Sequence, residues 1–361
     1  MLYRVLFIFF FLQTFLAETA DCQSGYSPPK LGSDRAWTAI ILPDPQIYVK
    51  YERNQPILDL MTAWISENID HLNIRFVLCT GDLVDDNTLF RADLKSKIKT
   101  SRQQWNAVSG SFAKLDGKVP YITATGNHDY GMIHKTDTRK TDFHKYFTFE
   151  RNTRNQEALK EVFLNDEGIP TLENAAFEFV SPRGIKYLII CLEFAPRDSA
   201  IEWAKKIAED SRYKEHKIGI LTHYYLTSSG EHTHVNKWVL PESNMGKDIW
   251  QKLIEPSDHI RMIFGGHIGS PDNERAHLAF RQDRNKGGKN VAQMVFNAQG
   301  LGGGSDGNGG DGWLRILEFE EDENRIKVRV KTFSPLFAIS PRTQHLAWRR
   351  ADYDEFDFVL D

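Results

Sequence analysis

The chain is predicted to be an α/β protein, and three observations carry that expectation. Short apolar runs alternate with segments of helical apolar spacing through the first half. This is the β-α-β-α-β order of a sheet with parallel strands and crossover helices. Glycine and polar residues able to ligate metals cluster just after those runs, where α/β proteins place their sites. The composition is globular: of 361 residues, 41% are apolar and 26% charged, which excludes disordered, collagen-like and coiled-coil classes. That length suits one large domain or two of average size. The 45 Lys and Arg against 49 Asp and Glu leave a net charge of -4 with no basic cluster, so no general nucleic-acid surface is expected. Three cysteines are too few for a disulfide scaffold.

Residues 1–20 read as a secretory signal peptide. Arg4 lies in a short leading region, an apolar run follows from 5 to 12 and on through Phe15 and Leu16, and small residues allow cleavage between Ala17 and Cys22. The run is shorter than the ~20 apolar residues of a membrane-spanning helix. The mature chain is therefore expected to be secreted, without a transmembrane segment.

Residues 37–42 form the first expected strand. Ile57, Leu60, Met61, Trp64 and Ile65 recur at helical spacing. A strand over 75–79, a helix marked by Trp105, Val108, Phe112 and Leu115, and a strand over 119–123 follow. The polar stretch 134–168 reads as a surface insertion. A hairpin is expected from 176–180 and 185–192, turning at 182–184. Ser199 and Glu202 have capping-box spacing, opening a helix with Ala200, Trp203, Ala204, Ile207 and Ala208 on its apolar face. Further strands are expected at 217–221, 260–264 and 291–296, then a glycine-rich flexible loop at 300–312 and a β pair at 313–319 and 325–331. Cys79 and Cys191 sit inside apolar runs and read as buried, inert thiols.

The ends of these strands carry the chemistry. Asp44-Pro45-Gln46 follows the first strand and Gly81-Asp82-Leu83-Val84-Asp85 the second. Gly126-Asn127-His128-Asp129 follows the third, His223 the strand at 217–221, and Gly265-Gly266-His267 the strand at 260–264. Each alone has a structural reading, a turn or a helix cap. Their shared placement at strand ends brings carboxylates, an amide and imidazoles toward one site.

At these residues the chain resembles the calcineurin-like metallophosphoesterase family. That family's pattern is Asp-x-His, Gly-Asp-x-x-Asp, Gly-Asn-His-Asp/Glu, a lone His, and Gly-His-x-His; here it reads DPQ, GDLVD, GNHD, Thr222-His223 and GHIG. The resemblance spans roughly 36–269, and the glycine-aromatic β tail to Pro335 is similar to secreted members. It implies a β-sandwich flanked by helices in one domain, 36–335, with 336–361 a tail packed on it or extending from it. It also implies two divalent ions, of Mn, Fe, Zn or Mg, and a phosphoester substrate. Asp82 would bridge both ions; Asn127, His223 and His267 would complete one site, a nitrogen-rich set. Asp44 would anchor the other, with Gln46 offering at best a weak neutral amide oxygen. The two ions would activate a hydroxide and clamp the phosphoryl oxygens. His128 would protonate the leaving oxygen, oriented by Asp129.

Two departures fall on the Asp44 ion. Gln46 stands for a histidine, as in a recognisable branch of the family, and Gly269 stands for the second histidine of Gly-His-x-His. His232 or His234 is a candidate substitute, although solvated loop histidines are the plainer reading. Asp85 stands where a purple acid phosphatase has Tyr, and Asp86-Asn87 where phosphoprotein phosphatases have Arg-Gly. The expectation is a secreted, metal-dependent phosphomonoesterase or phosphodiesterase. The alternative is a secreted binding protein with a degraded single-metal site; an intact His128 weighs for the enzyme.

Overall fold

The computed structural model describes residues 26–360 apart from 94, 133, 134, 323 and 324. The expected signal segment lies outside the described residues. Strands β1 (Trp37–Leu42), β2 (Ile74–Cys79) and β3 (Tyr121–Thr123) pair in parallel, each fully or almost fully buried. Their mostly apolar composition suits strands covered on both faces. Helices α1 (Gln46–Lys50) and α2 (Gln55–Glu67) connect the first two, and α3 (Ser101–Phe112) lies between the second and third. Thr100 caps α3 by accepting from the Gln103 amide, while the Gln103 side chain returns to the Thr100 amide.

The chain then builds a second sheet from β4 (Leu159–Leu164), β5 (Pro170–Val180), β6 (Lys186–Cys191), β7 (Lys217–Leu221), β8 (Ile260–Gly265), β9 (Leu278–Arg284) and β10 (Asn290–Phe296). Its order is β4-β5-β6-β7-β8-β10-β9, with β6-β7-β8-β10 parallel. Finally β11 (Leu314–Glu321), β12 (Ile326–Phe333), β13 (Trp348–Arg349) and β14 (Phe356–Leu360) return to the first sheet, β11 beside β1 and both β13 and β14 against β12.

The inner faces of the two sheets share one core. Trp37 of β1 stacks on Phe319 of β11 at 4.1 Å and meets Tyr187 of β6 edge-on at 5.1 Å. Apolar residues of α2 and α3 belong to the same core, whereas Ile201, Ala204 and Ile207 of α6 (Asp198–Glu209) cover the second sheet's outer face. This is the expected α/β fold class, two multi-stranded sheets flanked by helices.

Several local expectations change. The stretch 134–168 contains α4 (Phe143–Tyr146), α5 (Thr153–Ala158) and edge strand β4, and it buries Phe143 and Phe147. Its scattered aromatics serve the core while its many charges face water. Ser199 and Glu202 form no capping box: α6 starts at Asp198, its cap position is Arg197, and no side chain caps it. The hairpin's first strand begins at Pro170, six residues before the expected start at 176. Cys79 and Cys191 are buried and unpaired, their thiols pushed far up by burial.

Candidate metal centre

Asp44 and Gln46 follow β1, Asp82 follows β2, Asn127 and His128 follow β3, His223 follows β7 and His267 follows β8. Parallel strands of both sheets thus release their carboxyl ends at one place. Two glycines let the loops come this close. A Cβ on Gly126 would lie 2.1 Å from Asp82 Oδ1, and one on Gly266 would lie 2.1 Å from Asp44 Oδ1. Asp82 (φ 50) and His267 (φ 71) both occupy the left-handed region. Such conformations cost non-glycine residues ~1–3 kcal/mol each and persist where the surroundings over-determine them.

His223 is the hub. Its Nδ1 lies 2.8 Å from the Thr80 carbonyl, which holds a proton on that nitrogen and turns Nε2 toward the cluster. Around Nε2 stand Asn127 Oδ1 at 3.2 Å, His267 Nδ1 at 3.1 Å and Asp82 Oδ2 at 3.3 Å. Asp82, His223 and His267 each offer a ligand atom within 4.8 Å of the others. These groups are mostly acceptors facing acceptors, so one proton satisfies them poorly and one cation satisfies them together. The electrostatics agree. Burial alone would lower His223, but the charges of Asp82 and Asp44 outweigh it and lift the ring to about 9. Burial would likewise raise Asp82, but His223, His128 and His267 hold it far below the usual carboxylate range. For one divalent ion, these residues fit.

For a second ion they do not. Asp44, fully buried, lies outside that cluster: Oδ1 accepts from Thr80 Oγ1 at 2.6 Å, and Oδ2 from the His267 amide at 2.8 Å and Asn297 Nδ2 at 2.7 Å. Burial lifts its carboxyl to about 7. Gln46 Nε2 donates to Asp82 Oδ2 at 3.0 Å, and its Oε1 is buried without a protein partner. His232 is held by Gln293 at 2.7 Å and stacks on Trp250, while His234 is exposed, so neither substitutes for the missing histidine.

The amide of His128 donates to Asp82 Oδ1 at 2.9 Å, and its ring Nδ1 lies 2.6 Å from the Asp85 carbonyl. Asp129 was expected to orient that ring. Its carboxylate instead accepts from the amides of Gly126, Leu83 and Val84 at 2.8–3.1 Å, tying the β2 and β3 loops together. Gln46, Lys50, Asp85, His128 and His267 line an open cavity of about 220 Å³, with Gln299, Gly300, Gly304 and Ser305 on another wall. A larger cleft of about 740 Å³ shares none of these residues. Asn297, immediately after β10, escaped the sequence reading, although the strand-end rule that picked out the other residues applies to it equally.

Calcineurin-like phosphoesterase is the family whose model matches, over residues 42–271. An uncharacterized Bacillus subtilis (strain 168) protein, YvnB, is 27% identical over 326 residues, 90% of this chain and 22% of that protein. The chain therefore spans only about a fifth of that relative's length. A solved structure of GAP50, described as the anchor in the inner membrane complex of Plasmodium, overlaps 87% of this chain and 88% of its own at 11% identity and a TM-score of 0.42. On its motifs and on a family match covering most of its length, this chain belongs to the calcineurin-like phosphoesterase family.

Proposed function

We propose that the protein is a metal-dependent phosphoester hydrolase whose ion is held by Asp82, Asn127, His223 and His267. The observation that carries this reading is the convergence of ligand atoms from Asp82, Asn127 and His267 around His223 Nε2, next to His128 on a cavity wall. A bound divalent ion supplies Lewis-acid charge to a phosphoryl oxygen and lowers the pKa of water. The rest is this chain's own work. His128 Nδ1 is committed to the Asp85 carbonyl, so the proton it can give the leaving oxygen sits on Nε2. Burial would lower His128, but Asp82 and Asp85 outweigh it and favour the protonated ring that a general acid needs. Lys50, 3.4 Å from Asp85, adds a cation to the cavity wall facing an anionic substrate. Export by residues 1–20, a single domain over 36–335 with its tail at 336–361, and the Asp-x-Gln branch complete the proposal.

The non-catalytic alternative gains from Asp44, whose hydrogen bonds spend it away from the cluster. An assay separates the two. With Mn(II) present, purified chain should hydrolyse p-nitrophenyl phosphate or its bis ester, and chelation should stop it. A chain that binds the ion and turns over neither ester is the binding protein instead.

A further inference from the structure

Each oxygen of Asp82 already has a donor: the His128 amide on Oδ1 and the Gln46 side-chain amide on Oδ2. Gln46 Nε2 is therefore hydrogen-bonded to the carboxylate that would have to bridge to a second ion, while its Oε1 has no protein partner. Asp44 Oδ1 lies 4.0 Å from His223 Nδ1, the ring nitrogen opposite the one that faces the cluster. That oxygen is enclosed by Thr80 and Gly266, and the other carries two donors. Gly269 supplies no ligand, and a Cβ there would lie 3.1 Å from Nδ1 of His277. His277 in turn is fully buried and bonded to the Asn297 carbonyl at 2.9 Å. The space left by the family's second histidine is thus backed by a different imidazole that points at the backbone.

We infer that this centre is mononuclear. The Gln46 amide stands in for the second ion, and Asp44 acts as a buttress that fixes His267 and Asn297. The inference rests on the reading that Asp82, Asn127, His223 and His267 hold an ion. A donor on a carboxylate oxygen does part of what the second cation does, because its N–H stabilises the carboxylate charge through a hydrogen bond without adding a ligand-hungry centre. Asp44 then serves as an outer support whose loss weakens binding by roughly 10–100-fold without changing the number of ions.

The test is Mn(II) titration of the full chain, read by metal content and by electron paramagnetic resonance. One ion per chain with an uncoupled six-line spectrum is expected. Two ions with a coupled spectrum overturn this inference and leave the hydrolase proposal standing. No bound ion overturns both. Asp44→Asn should still bind one ion at saturation, and loss of that ion at saturation overturns the buttress role. If Asp44→Asn fails to fold, the wild-type count and spectrum decide alone.

Discussion

His128 and Gly269 are the residues at which single changes speak most directly. His128 has its amide on Asp82 and its ring on the Asp85 carbonyl, so its side chain can be removed without removing a ligand. His128→Ala should lower kcat by roughly 10²–10⁴-fold, the usual worth of a general acid. Metal content should stay at the wild-type level, and the loss should shrink for esters with good leaving groups. Wild-type turnover on a poor leaving group would remove His128 from this role. Restoring the family histidine at 269 looks at first like a repair. The backbone there lies outside the left-handed region, so strain is no obstacle, but His277 stands 3.1 Å from the new Cβ. Overpacking of this kind costs ~1–3 kcal/mol. Gly269→His should therefore lower the melting temperature by several degrees and leave metal affinity unimproved. Gly269→His with His277→Ala should recover the stability; tighter metal binding in the single variant would show that His277 yields easily.

Elements hold the site by contacts remote from the ion. Glu173 on β5 receives the hydroxyls of Tyr130 at 2.6 Å and Thr171 at 3.1 Å, coupling the second sheet to the loop after the GNHD motif. Burial lifts its carboxyl to about 7 from an ordinary 4.5. Between those values the folded state binds more protons than the unfolded state, so stability falls as pH rises. The contribution is complete below about 4.5 and lost through about 7, and is worth about 3 kcal/mol at most. Glu173→Gln should flatten that part of the melting-temperature profile; an unchanged slope would place the titration elsewhere. The glycine-rich loop is anchored too. Tyr51 donates to Asp306 Oδ1, Arg53 to its carbonyl and Asn54 to the Gly307 carbonyl, each at 2.7 Å. Asp306→Ala removes the Tyr51 bond, worth ~1 kcal/mol, and should speed protease cleavage within 300–312 roughly 2- to 10-fold. An unchanged cleavage rate would mean the backbone contacts hold the loop by themselves.

Elements also show what a sequence can reveal. Central strands such as β1 and β2 were legible because an uninterrupted apolar run needs cover on both faces. β4 and β9 were not, because LKEVFL and LAFRQDR lie at sheet edges and leave polar residues exposed. Asp44, Asp82, Asn127, His128, His223 and His267 were found because strand ends concentrate them. What each one touches was not legible. Asp44 and Asp129 are both buried carboxylates after strands, and only the fold shows which backbone amides and neighbouring side chains each one accepts from.

At the scale of the whole molecule, the centre joins the carboxyl ends of strands from both sheets. An ion bound there links the two halves of the sandwich and stabilises the folded state by mass action, ~2.7 kcal/mol at 100 times its Kd. Among the described residues no helix is long and apolar enough to cross a membrane. On the proposed function, the cluster of Asp82, Asn127, His223 and His267 makes this fold hydrolyse phosphoesters. The measurement that tests it most directly is the Mn(II)-dependent rate of p-nitrophenyl ester hydrolysis by wild type and His267→Ala at equal protein concentration. Turnover that appears with the ion and falls at least ~100-fold in the variant is the predicted result. Turnover that survives both chelation and His267→Ala would rule out hydrolysis at this cluster.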